Sequence, residues 1–261
     1  MSVFCPLFSG SSGNCEYIGF GGKGILIDAG VSAKRLTAAL ESNNIEPSAI
    51  LGIFITHEHS DHIAGLRVFA SKHKIPVFCS EGTLAALSSD QKLISSVEIN
   101  AFYDRVTTGG FVIERFATSH DCVGSSGYKV TAPDGRIASV CTDLGCITED
   151  VKSALIGSHL VMLESNHDVS MLRNGPYPFS LKQRIASDCG HLSNSCCADF
   201  LPELIESGTT QIVLGHLSKE NNRPKIAFDC ATSFLKLKDY LPDRDYYLHV
   251  AKEADGTMLV I

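Results

Sequence analysis

Six consecutive residues, 57–62, constrain the fold and chemistry of this chain more than any other feature. They read His-Glu-His-Ser-Asp-His, an H-x-H-x-D-H pattern that offers three imidazoles and one carboxylate. Imidazole nitrogens and carboxylate oxygens are the ligand atoms that zinc and similar divalent ions prefer. Four such groups within six residues cannot share one face of a regular helix or strand. The pattern therefore predicts a metal-binding loop.

The segments on either side of this loop support the same interpretation. Residues 50–55 form an apolar run that predicts a buried strand, and residues 63–74 have the spacing of an amphipathic helix. The loop would then connect a strand to a helix, which is a common place for a functional site. This context disfavours the alternative of an exposed polar loop whose histidines bind nothing.

Length and composition favour a single large domain. A chain of 261 residues with 44% hydrophobic content can bury a substantial core, and we expect one α/β domain over residues 1–261. The sequence contains no apolar run of about 18 residues and no pattern of an export signal. We therefore expect a cytoplasmic protein with no membrane association, and the sequence indicates no obligate protein partner.

Cysteine usage and net charge narrow the function classes further. The ten cysteines are scattered without a C-x-x-C pair, so we expect mostly buried free thiols. If adjacent Cys196 and Cys197 lie on a helix, their side chains point in different directions and would bind one metal ion poorly. We therefore do not expect them to be metal ligands. A net charge of -7 argues against a broad basic surface for coating nucleic acid. It does not exclude a nuclease, because two divalent ions would place about four positive charges at one spot.

The order of predicted elements favours a four-layer αββα sandwich in the α/β class. Two β-rich halves, each edged by helices, suggest two packed sheets rather than a bundle or a barrel. The predicted strands are residues 3–7, 15–20, 24–28, 50–55, 76–79, 97–99, 111–116, 127–131, 136–141, 159–163 and 211–214. The predicted helices are residues 32–43 with Ser32 as N-cap, 63–74, 81–88, 149–156 and 222–237, and two more beginning at Leu181 and Ser193.

Residues 56–66, which read THEHSDHIAGL, resemble the signature of the metallo-β-lactamase superfamily. Later motifs of that superfamily match in order: a Thr-Ser-His-Asp sequence, then Cys-Thr-Asp-Leu-Gly, then a histidine directly after a predicted strand. The fold this resemblance implies is the four-layer sandwich of the metallo-β-lactamase type. It also implies seven ligands for two ions: His57, His59 and His120 on one, Asp61, His62 and His216 on the other, and Asp143 bridging them.

The predicted ligand set has a chemical consequence that does not depend on the resemblance. A shared carboxylate would hold two divalent ions about 4 Å apart, so that a bridging water becomes hydroxide near neutral pH. Zinc is the first choice, with manganese or iron as alternatives, because histidine and aspartate accept all three. An aspartate at position 143 resembles the dinuclear branch that cleaves phosphodiesters or thioesters. We expect Asp61, Asp143 and His191 to be catalytic.

Shorter motifs are similar to those of the YycJ/WalJ family of cytoplasmic metallo-hydrolases. They are residues 9–14 (SGSSGN), 166–168 (NHD), 190–194 (GHLSN) and 215–222 (GHLSKENN). This resemblance implies exonuclease action on DNA from a 5′ end, with RNA as an alternative substrate. His191 resembles the histidine that ribonuclease Z-like phosphodiesterases place beside the scissile phosphate. Such a histidine can donate a proton to the leaving oxygen or bind the phosphate.

Five residues outside the metal set are candidates for substrate contact. Ser11, Ser12 and Asn14 lie in a turn whose backbone N–H groups could cradle a phosphate, although Ser-Gly-Asn is also ordinary turn chemistry. His167 follows a predicted strand, where it could bind substrate, support a ligand or be structural, and Asn194 follows the His191 motif. Asp28, at the end of another predicted strand, is expected to hold the ligand loop.

The predicted function is a metal-dependent hydrolase, a dinuclear-metal phosphodiesterase that acts as a 5′-to-3′ exonuclease on DNA through a metal-bridging hydroxide. The main alternative is a small-molecule hydrolase, a glyoxalase II-like thioesterase or a lactonase, with the same metal centre. The motif around His191 favours phosphodiesters. A non-catalytic metal sensor or adaptor is a further alternative, but structural zinc sites usually close with four ligands that include thiolates.

Overall fold

The structure is a computed structural model that describes residues 1–90, 93 and 95–261. In this part of the chain, fourteen strands form two seven-stranded sheets. The first sheet contains β1 (Ser2–Phe8), β2 (Cys15–Phe20), β3 (Lys23–Ile27), β4 (Ile50–Phe54), β5 (Val77–Cys79), β6 (Ile99–Ala101) and β14 (Leu259–Val260). The second contains β7 (Arg105–Thr108), β8 (Phe111–Ala117), β9 (Ser126–Thr131), β10 (Ile137–Cys141), β11 (Leu160–Glu164), β12 (Gln211–Gly215) and β13 (Tyr247–Val250).

The two sheets share one layout. The first has the order β14-β1-β2-β3-β4-β5-β6, and the second has the order β13-β12-β11-β10-β9-β8-β7. Strands β14 to β3 and strands β7 to β10 pair antiparallel, whereas β3 to β6 and β10 to β13 pair parallel. The parallel strands are connected through helices, as crossover connections require.

Helices cover the outer faces of both sheets. On the first half lie α1 (Ala33–Ser42), a 3-10 turn (Pro47–Ala49), α2 (Ser60–Ile63), α3 (Leu66–His73) and α4 (Glu81–Leu87). On the second half lie α5 (Glu149–Leu155), α6 (Val169–Asn174), α7 (Phe179–Ile185), α8 (Asn194–Glu206) and α9 (Pro224–Leu237). Several helices begin at the residue types that cap free N–H groups, including the predicted Ser32, whose side chain accepts a hydrogen bond from the amide of Arg35.

Three apolar clusters hold these layers together. Phe4 and Phe54 of the first sheet pack with Tyr128 of the second, so one cluster fills the space between the sheets. A second cluster joins the outer face of the first sheet to helices such as α1, and a third joins the second sheet to α8 and α9. The predicted αββα sandwich is confirmed. The prediction of one domain over residues 1–261 stays a prediction.

Element boundaries differ from the predictions where tertiary contacts decide them. The predicted helix 63–74 corresponds to α3, Leu66–His73, whereas Ile63 ends a separate helix, α2, and Gly65 lies between the two. A Cβ on Gly65 would lie 2.1 Å from the carbonyl oxygen of Val31, so the chain approaches its neighbour too closely for any side chain. The predicted strand 97–99 is shifted to Ile99–Ala101. No sequence pattern predicted α6, β7, β13 and β14, which are short elements.

Two further expectations can be compared with the structure. All ten cysteines are free thiols, but only five of them are buried: Cys5, Cys15, Cys79, Cys141 and Cys197. The expectation that most would be buried was therefore wrong for half the set. Among the described residues, none of the helices has the length and apolar character needed to cross a membrane.

Candidate metal centre

The seven predicted ligands meet at one edge of the sandwich. Four of them follow β4 at residues 57–62, where His57 and His59 lie in a loop, as predicted, but Asp61 and His62 lie in the short helix α2. The other three follow β8, β10 and β12 of the second sheet. Both sheets therefore contribute to one cluster. The structure places candidate ligand atoms within 4.8 Å of one another in overlapping groups: His57, His59 and His120; His57, His62 and Asp143; Asp61, His62 and His216.

The first group consists of His57, His59 and His120. The Nδ1 atom of His57 lies 3.0 Å from Thr56 Oγ1, and its Nε2 atom is buried without a hydrogen-bond partner among the described residues. His120 Nδ1 lies 3.1 Å from the carbonyl oxygen of Gly190, which directs its Nε2 to within 3.4 Å of His59 Nδ1. Each ring thus turns one nitrogen towards the shared space.

The second group consists of Asp61, His62 and His216. His62 Nδ1 lies 2.7 Å from Asp28 Oδ2, and its Nε2 lies 3.6 Å from Asp61 Oδ2. His216 Nε2 lies 3.7 Å from the same Asp61 oxygen. The two imidazoles and the carboxylate therefore converge on one position.

Asp143 lies between the two groups. Its Oδ2 is 3.3 Å from His62 Nε2, while its Oδ1 is 3.8 Å from His120 Nε2 and 3.3 Å from His216 Nδ1. Its backbone has φ +58°, a left-handed conformation that aspartate tolerates better than most residues. The carboxylate is in reach of both groups, which is the position that the bridging prediction requires.

Unpartnered polar atoms test whether these residues suit a metal. In the part of the chain that the structure describes, His57 Nε2, Asp143 Oδ2 and His216 Nε2 are buried without hydrogen-bond partners. A buried polar group left unsatisfied costs about 1–3 kcal/mol, so three in one cluster is unfavourable unless something else binds them. Divalent cations would satisfy all three. The nitrogen and oxygen donors accept zinc, manganese or iron, so the residues fit the predicted metals.

Two buried carboxylates, those of Asp28 and Glu164, contact the candidate ligands and orient them. Asp28 accepts hydrogen bonds from the amide and hydroxyl of Thr56 at 2.8 and 2.7 Å, and it contacts His62 as described. It therefore holds the ligand loop, as the sequence led us to expect. Glu164 was not predicted: its Oε1 lies 2.8 Å from both His191 Nδ1 and His216 Nδ1.

Glu164 could have been found from one sequence signal. It ends β11, whose other four residues, Leu-Val-Met-Leu, are apolar and buried. A carboxylate that continues a buried strand must have partners, because burial of an unpaired charge is strongly unfavourable. Those partners are the two imidazoles and the amides of Leu144 and Leu192, which donate to its Oε2 at 3.1 and 3.2 Å.

The pKa values of the cluster follow from burial and from neighbouring charges. Burial and the surrounding imidazoles hold the pKa of His57 far below its usual range, so the ring is neutral. Burial also lowers the pKa of His62, but Asp28 and Asp143 outweigh this effect and raise it to about 9. Burial raises the pKa of Glu164, yet His191 and His216 together outweigh it, and the net pKa is lowered. Protons on imidazoles balance the carboxylates here, and bound cations would take over that balance.

His191 lies at the rim of the cluster. Its side chain is 20% exposed, and its ring centroid is 5.1 Å from that of His120 and 5.3 Å from that of His216. Its Nδ1 is occupied by Glu164, so Nε2 is the nitrogen left for a substrate. Burial lowers the pKa of His191, but the Glu164 carboxylate outweighs that effect and raises it.

The five predicted substrate contacts lie in different surroundings. Ser11 and Ser12 are exposed and line a cleft of about 970 Å³, and the Ser12 hydroxyl donates to Glu253 at 3.0 Å. His167 lines a second cleft, beside His191. Asn14 is buried, with its Nδ2 3.4 Å from Asp61 Oδ2 and 3.1 Å from His62 Nε2.

Asn194 is also buried, and it shares two reciprocal hydrogen bonds with Asn222 at 3.0 and 2.9 Å. The structure thus brings Asn14 to the cluster and encloses Asn194 in a separate polar network. Substrate contact stays a prediction for these five residues.

Known proteins of the same fold and sequence pattern identify the family. Residues 23–216 match the family model described as a beta-lactamase superfamily domain. The chain is 37% identical over 253 residues to exodeoxyribonuclease YycJ of Bacillus anthracis, which covers 94% of each protein. This chain belongs to the YycJ/WalJ family of the metallo-β-lactamase superfamily.

Two more comparisons support the assignment of this chain to the YycJ/WalJ family and to its fold. It is 39% identical over 225 residues to exodeoxyribonuclease WalJ of Streptococcus pneumoniae, which covers 85% of this chain and 83% of the relative. The crystal structure of the metallo-β-lactamase fold protein YhfI from Bacillus subtilis superposes with a TM-score of 0.72 over the full length of both chains. At 15% identity, that likeness shows the fold alone. The predicted superfamily, family and class of metal-dependent hydrolase are confirmed.

Proposed function

We propose that this YycJ/WalJ-family protein is a dinuclear-metal phosphodiesterase that degrades DNA from a 5′ end. The observation that carries the proposal is the position of Asp143 between two groups of candidate ligands. The family relatives named exodeoxyribonucleases support DNA as the substrate. The 5′-to-3′ direction rests on the family resemblance, and a cytoplasmic location is proposed with it.

When bound, two divalent ions would supply Lewis acidity at the phosphoryl oxygens and a hydroxide nucleophile near neutral pH. The protein's own contribution is orientation. Asp28 occupies Nδ1 of His62 and Glu164 occupies Nδ1 of His216, so that each ring presents Nε2 to the cluster. Asp61 and Asp143 contribute negative charge close to both rings, which favours cation binding over binding of a neutral ligand.

His191 is the residue proposed to move a proton. Glu164 accepts a hydrogen bond from its Nδ1, which leaves Nε2 free to hold a proton at the rim of the cluster. A phosphodiester that enters from the rim would place its leaving oxygen near this nitrogen. Proton donation there avoids the release of a strongly basic alkoxide, and general acids of this kind contribute about 100-fold or more to rate.

A panel of substrates tests the proposal directly. Protein loaded with zinc or manganese is incubated with 5′-phosphorylated duplex DNA, single-stranded DNA, RNA, a thioester and a lactone, with the DNA labelled at either end. We expect DNA to be shortened, with the 3′ label retained in progressively shorter fragments. Rapid thioester turnover without degradation of any nucleic acid would instead favour the glyoxalase II-like alternative.

Asp143→Asn tests the dinuclear part of the proposal. The amide removes the charge that both groups share, and we expect turnover of DNA to fall by at least about 100-fold, more than for a supporting residue. The matched control is Asp150→Asn, an exposed aspartate on α5, which should retain full activity. Wild-type rates in metal-saturated Asp143→Asn protein would show that the bridging assignment is wrong.

A further inference from the structure

A cleft of about 630 Å³ opens beside His191, and α6 and α7 form much of its lining. His191 also belongs to the candidate metal centre, where its ring centroid is 5.1 Å from that of His120. A molecule that reacts at the centre therefore has its neighbouring atoms next to this cleft. The chemistry of the cleft should reflect what adjoins the reacting phosphate.

Exposed apolar side chains are the first unusual feature of this cleft. Phe179, the first residue of α7, is 74% exposed, and Val169, the first residue of α6, is 55% exposed. A ligand that covers an exposed phenylalanine gains the free energy of burying its apolar surface. A flat aromatic ring in a groove can accept a nucleobase on its face, and such stacking does not depend on the base sequence.

Positive charge is the second feature. Residues 169–187 contain Arg173, Lys182 and Arg184 and no acidic residue, although the whole chain has a net charge of -7. Arg173 and Lys182 line the cleft, whereas Arg184 is paired with Asp121. Lys182 Nζ donates to the carbonyl oxygen of Arg173 at 3.0 Å, and neither Lys182 nor Arg173 has a carboxylate partner among the described residues. Both cations can therefore bind the phosphates on either side of a stacked base.

The neighbouring cleft beside Ser11 and Ser12 lacks this combination. It is larger, about 970 Å³, and contains cationic side chains, but Glu220 and Glu253 lie among them. Lys219 Nζ is 3.8 Å from Glu253 Oε1, so its charge is partly neutralised. An anionic strand is therefore attracted more strongly by the cleft next to His191.

An unpartnered histidine is the third feature. His167 lines the same cleft and is only 3% exposed, and its Nδ1 has no hydrogen-bond partner in the described part of the chain. A buried polar atom of this kind is costly unless a ligand or water satisfies it. A nucleobase in the cleft would bring hydrogen-bond donors and acceptors next to this ring.

The wall that carries Phe179 is connected to the metal centre at the other end of α7. Arg184 donates to Asp121 Oδ1 at 3.0 Å, and the adjacent His120 is a candidate ligand. The amide of His191 donates to the carbonyl oxygen of Ile185 at 2.9 Å. These contacts fix the distance between the cleft and the candidate centre, so a base in the cleft would position the strand for cleavage.

We propose that this cleft binds one nucleobase of a single DNA strand beside the scissile phosphate, with the base stacked on Phe179 and a flanking phosphate held by Lys182 and Arg173. The inference rests on the proposed function and specifies how that function recognises its substrate. A base held by its face would let the site accept DNA of any sequence.

Oligonucleotide binding tests the stacking contact without depending on turnover. Metal-loaded protein is titrated against labelled single-stranded phosphorothioate oligonucleotides, which resist cleavage, and Kd is measured by fluorescence anisotropy. One terminal position at a time is made abasic. For wild-type protein we expect one abasic position to weaken binding by about 5- to 100-fold.

Phe179→Ala should weaken binding of the intact strand by a similar factor and should abolish the further loss at that abasic position. Phe179→Trp should retain it, since indole also stacks. The matched control is Tyr103→Ala, because Tyr103 is 75% exposed and does not line the cleft. Equal abasic penalties in wild-type and Phe179→Ala protein, or no abasic penalty at any position, would overturn the inference.

Lys182→Gln tests the phosphate contact separately. We expect weaker binding of intact and abasic strands alike, with the slope of log K against log salt reduced by about 0.7. An unchanged slope would contradict the phosphate contact. Failure of the proposed function would look different: wild-type protein would then leave unmodified DNA intact in the substrate panel, whatever the binding data show.

Discussion

The tautomers of two candidate ligands, His62 and His216, depend on two buried carboxylates. Asp28 and Glu164 are both almost fully buried, and each takes the Nδ1 atom of a histidine whose Nε2 faces the cluster. Glu164 additionally takes Nδ1 of His191, so one carboxylate orients both a candidate ligand and the proposed proton donor. Loss of its charge should affect metal affinity and turnover together.

Glu164→Gln is the variant that separates this role from simple packing. Gln retains the size of the side chain, but its amide nitrogen cannot accept the hydrogen bonds from the amides of Leu144 and Leu192. We expect metal affinity and kcat each to fall by about 10- to 100-fold, and the free energy of unfolding to fall by about 1–3 kcal/mol. Chelator competition, steady-state kinetics and denaturant unfolding measure the three quantities.

The matched control is Glu203→Gln. Glu203 is an exposed partner of Lys152 at 3.3 Å, and pairs of this kind contribute about 1 kcal/mol or less. A Glu164→Gln protein that binds metal and turns over DNA like wild type, while only its stability falls, would restrict Glu164 to a structural role.

Single residues were predictable from the sequence where chemistry is concentrated in a short motif. The H-x-H-x-D-H loop, and the later His120, Asp143 and His216, could be read because each lies in a recognisable short pattern. Glu164 has no motif of its own, and the only sequence signal for it is a carboxylate at the end of a buried apolar strand, which does not say what it binds. Its importance arises from the parallel pairing of β10, β11 and β12, which brings residues distant in sequence side by side.

At the scale of elements, backbone hydrogen bonds join three loops of the first sheet next to the candidate ligands. The amide of Asn14 donates to the carbonyl oxygen of Asp61 at 2.8 Å, and the amide of Gly30 donates to that of Asn14 at 2.9 Å. The amide of Ala29 donates to His62 O at 2.9 Å. Backbone contacts of this kind hold the ligand loop in a fixed shape before any metal binds, and they leave no periodic signal in the sequence.

Gly30→Ala tests this interlocking. A Cβ at Gly30 would lie 1.6 Å from Asp61 O and 2.6 Å from the amide nitrogen of Asn14, and both atoms belong to the backbone. Because neither atom can turn away, we expect a loss of about 2 kcal/mol or more in the free energy of unfolding and a marked fall in metal affinity. Denaturant unfolding and metal titration give the two values.

Gly21→Ala is the comparison for an added methyl group that meets no neighbour. Gly21 has φ +60°, and no atom of the described residues lies within 4 Å of an added Cβ, so we expect a cost of about 1 kcal/mol from the backbone conformation and no effect on metal affinity. If Gly30→Ala behaved like Gly21→Ala, the loop contacts would not position Asp61.

Regular elements were easier to predict than their ends. Strands such as β2 and β4 could be predicted from apolar runs because both of their faces are covered. Ser32, a residue type that caps helices, correctly indicated the start of α1. The edge strands β13 and β14 were not visible, since short, half-exposed segments lack such a run. The break between α2 and α3 depends on the close approach of Gly65 to Val31, which is a contact between distant parts of the chain.

At the scale of the whole molecule, the candidate centre joins the two halves of the sandwich. The loop at residues 57–62 belongs to the first sheet, whereas His120, Asp143 and His216 belong to the second. A cation bound by both sets would connect the two sheets at this edge of the sandwich. Ligands that bind only the folded state add RT ln(1 + [L]/Kd) to stability, about 2.7 kcal/mol at a concentration 100 times Kd.

Metal should therefore raise the thermal stability of the entire protein. For a chain of this size about 1 kcal/mol corresponds to roughly 2–4 °C, so we expect zinc or manganese to raise Tm by about 5–10 °C in a concentration-dependent manner. A chelator should reverse the shift. In Asp143→Asn protein the shift should be much smaller, because the carboxylate that both groups share is lost, whereas Asp150→Asn protein should behave like wild type. Equal shifts in these two variants would mean that the metal stabilises the protein from a site that does not include Asp143.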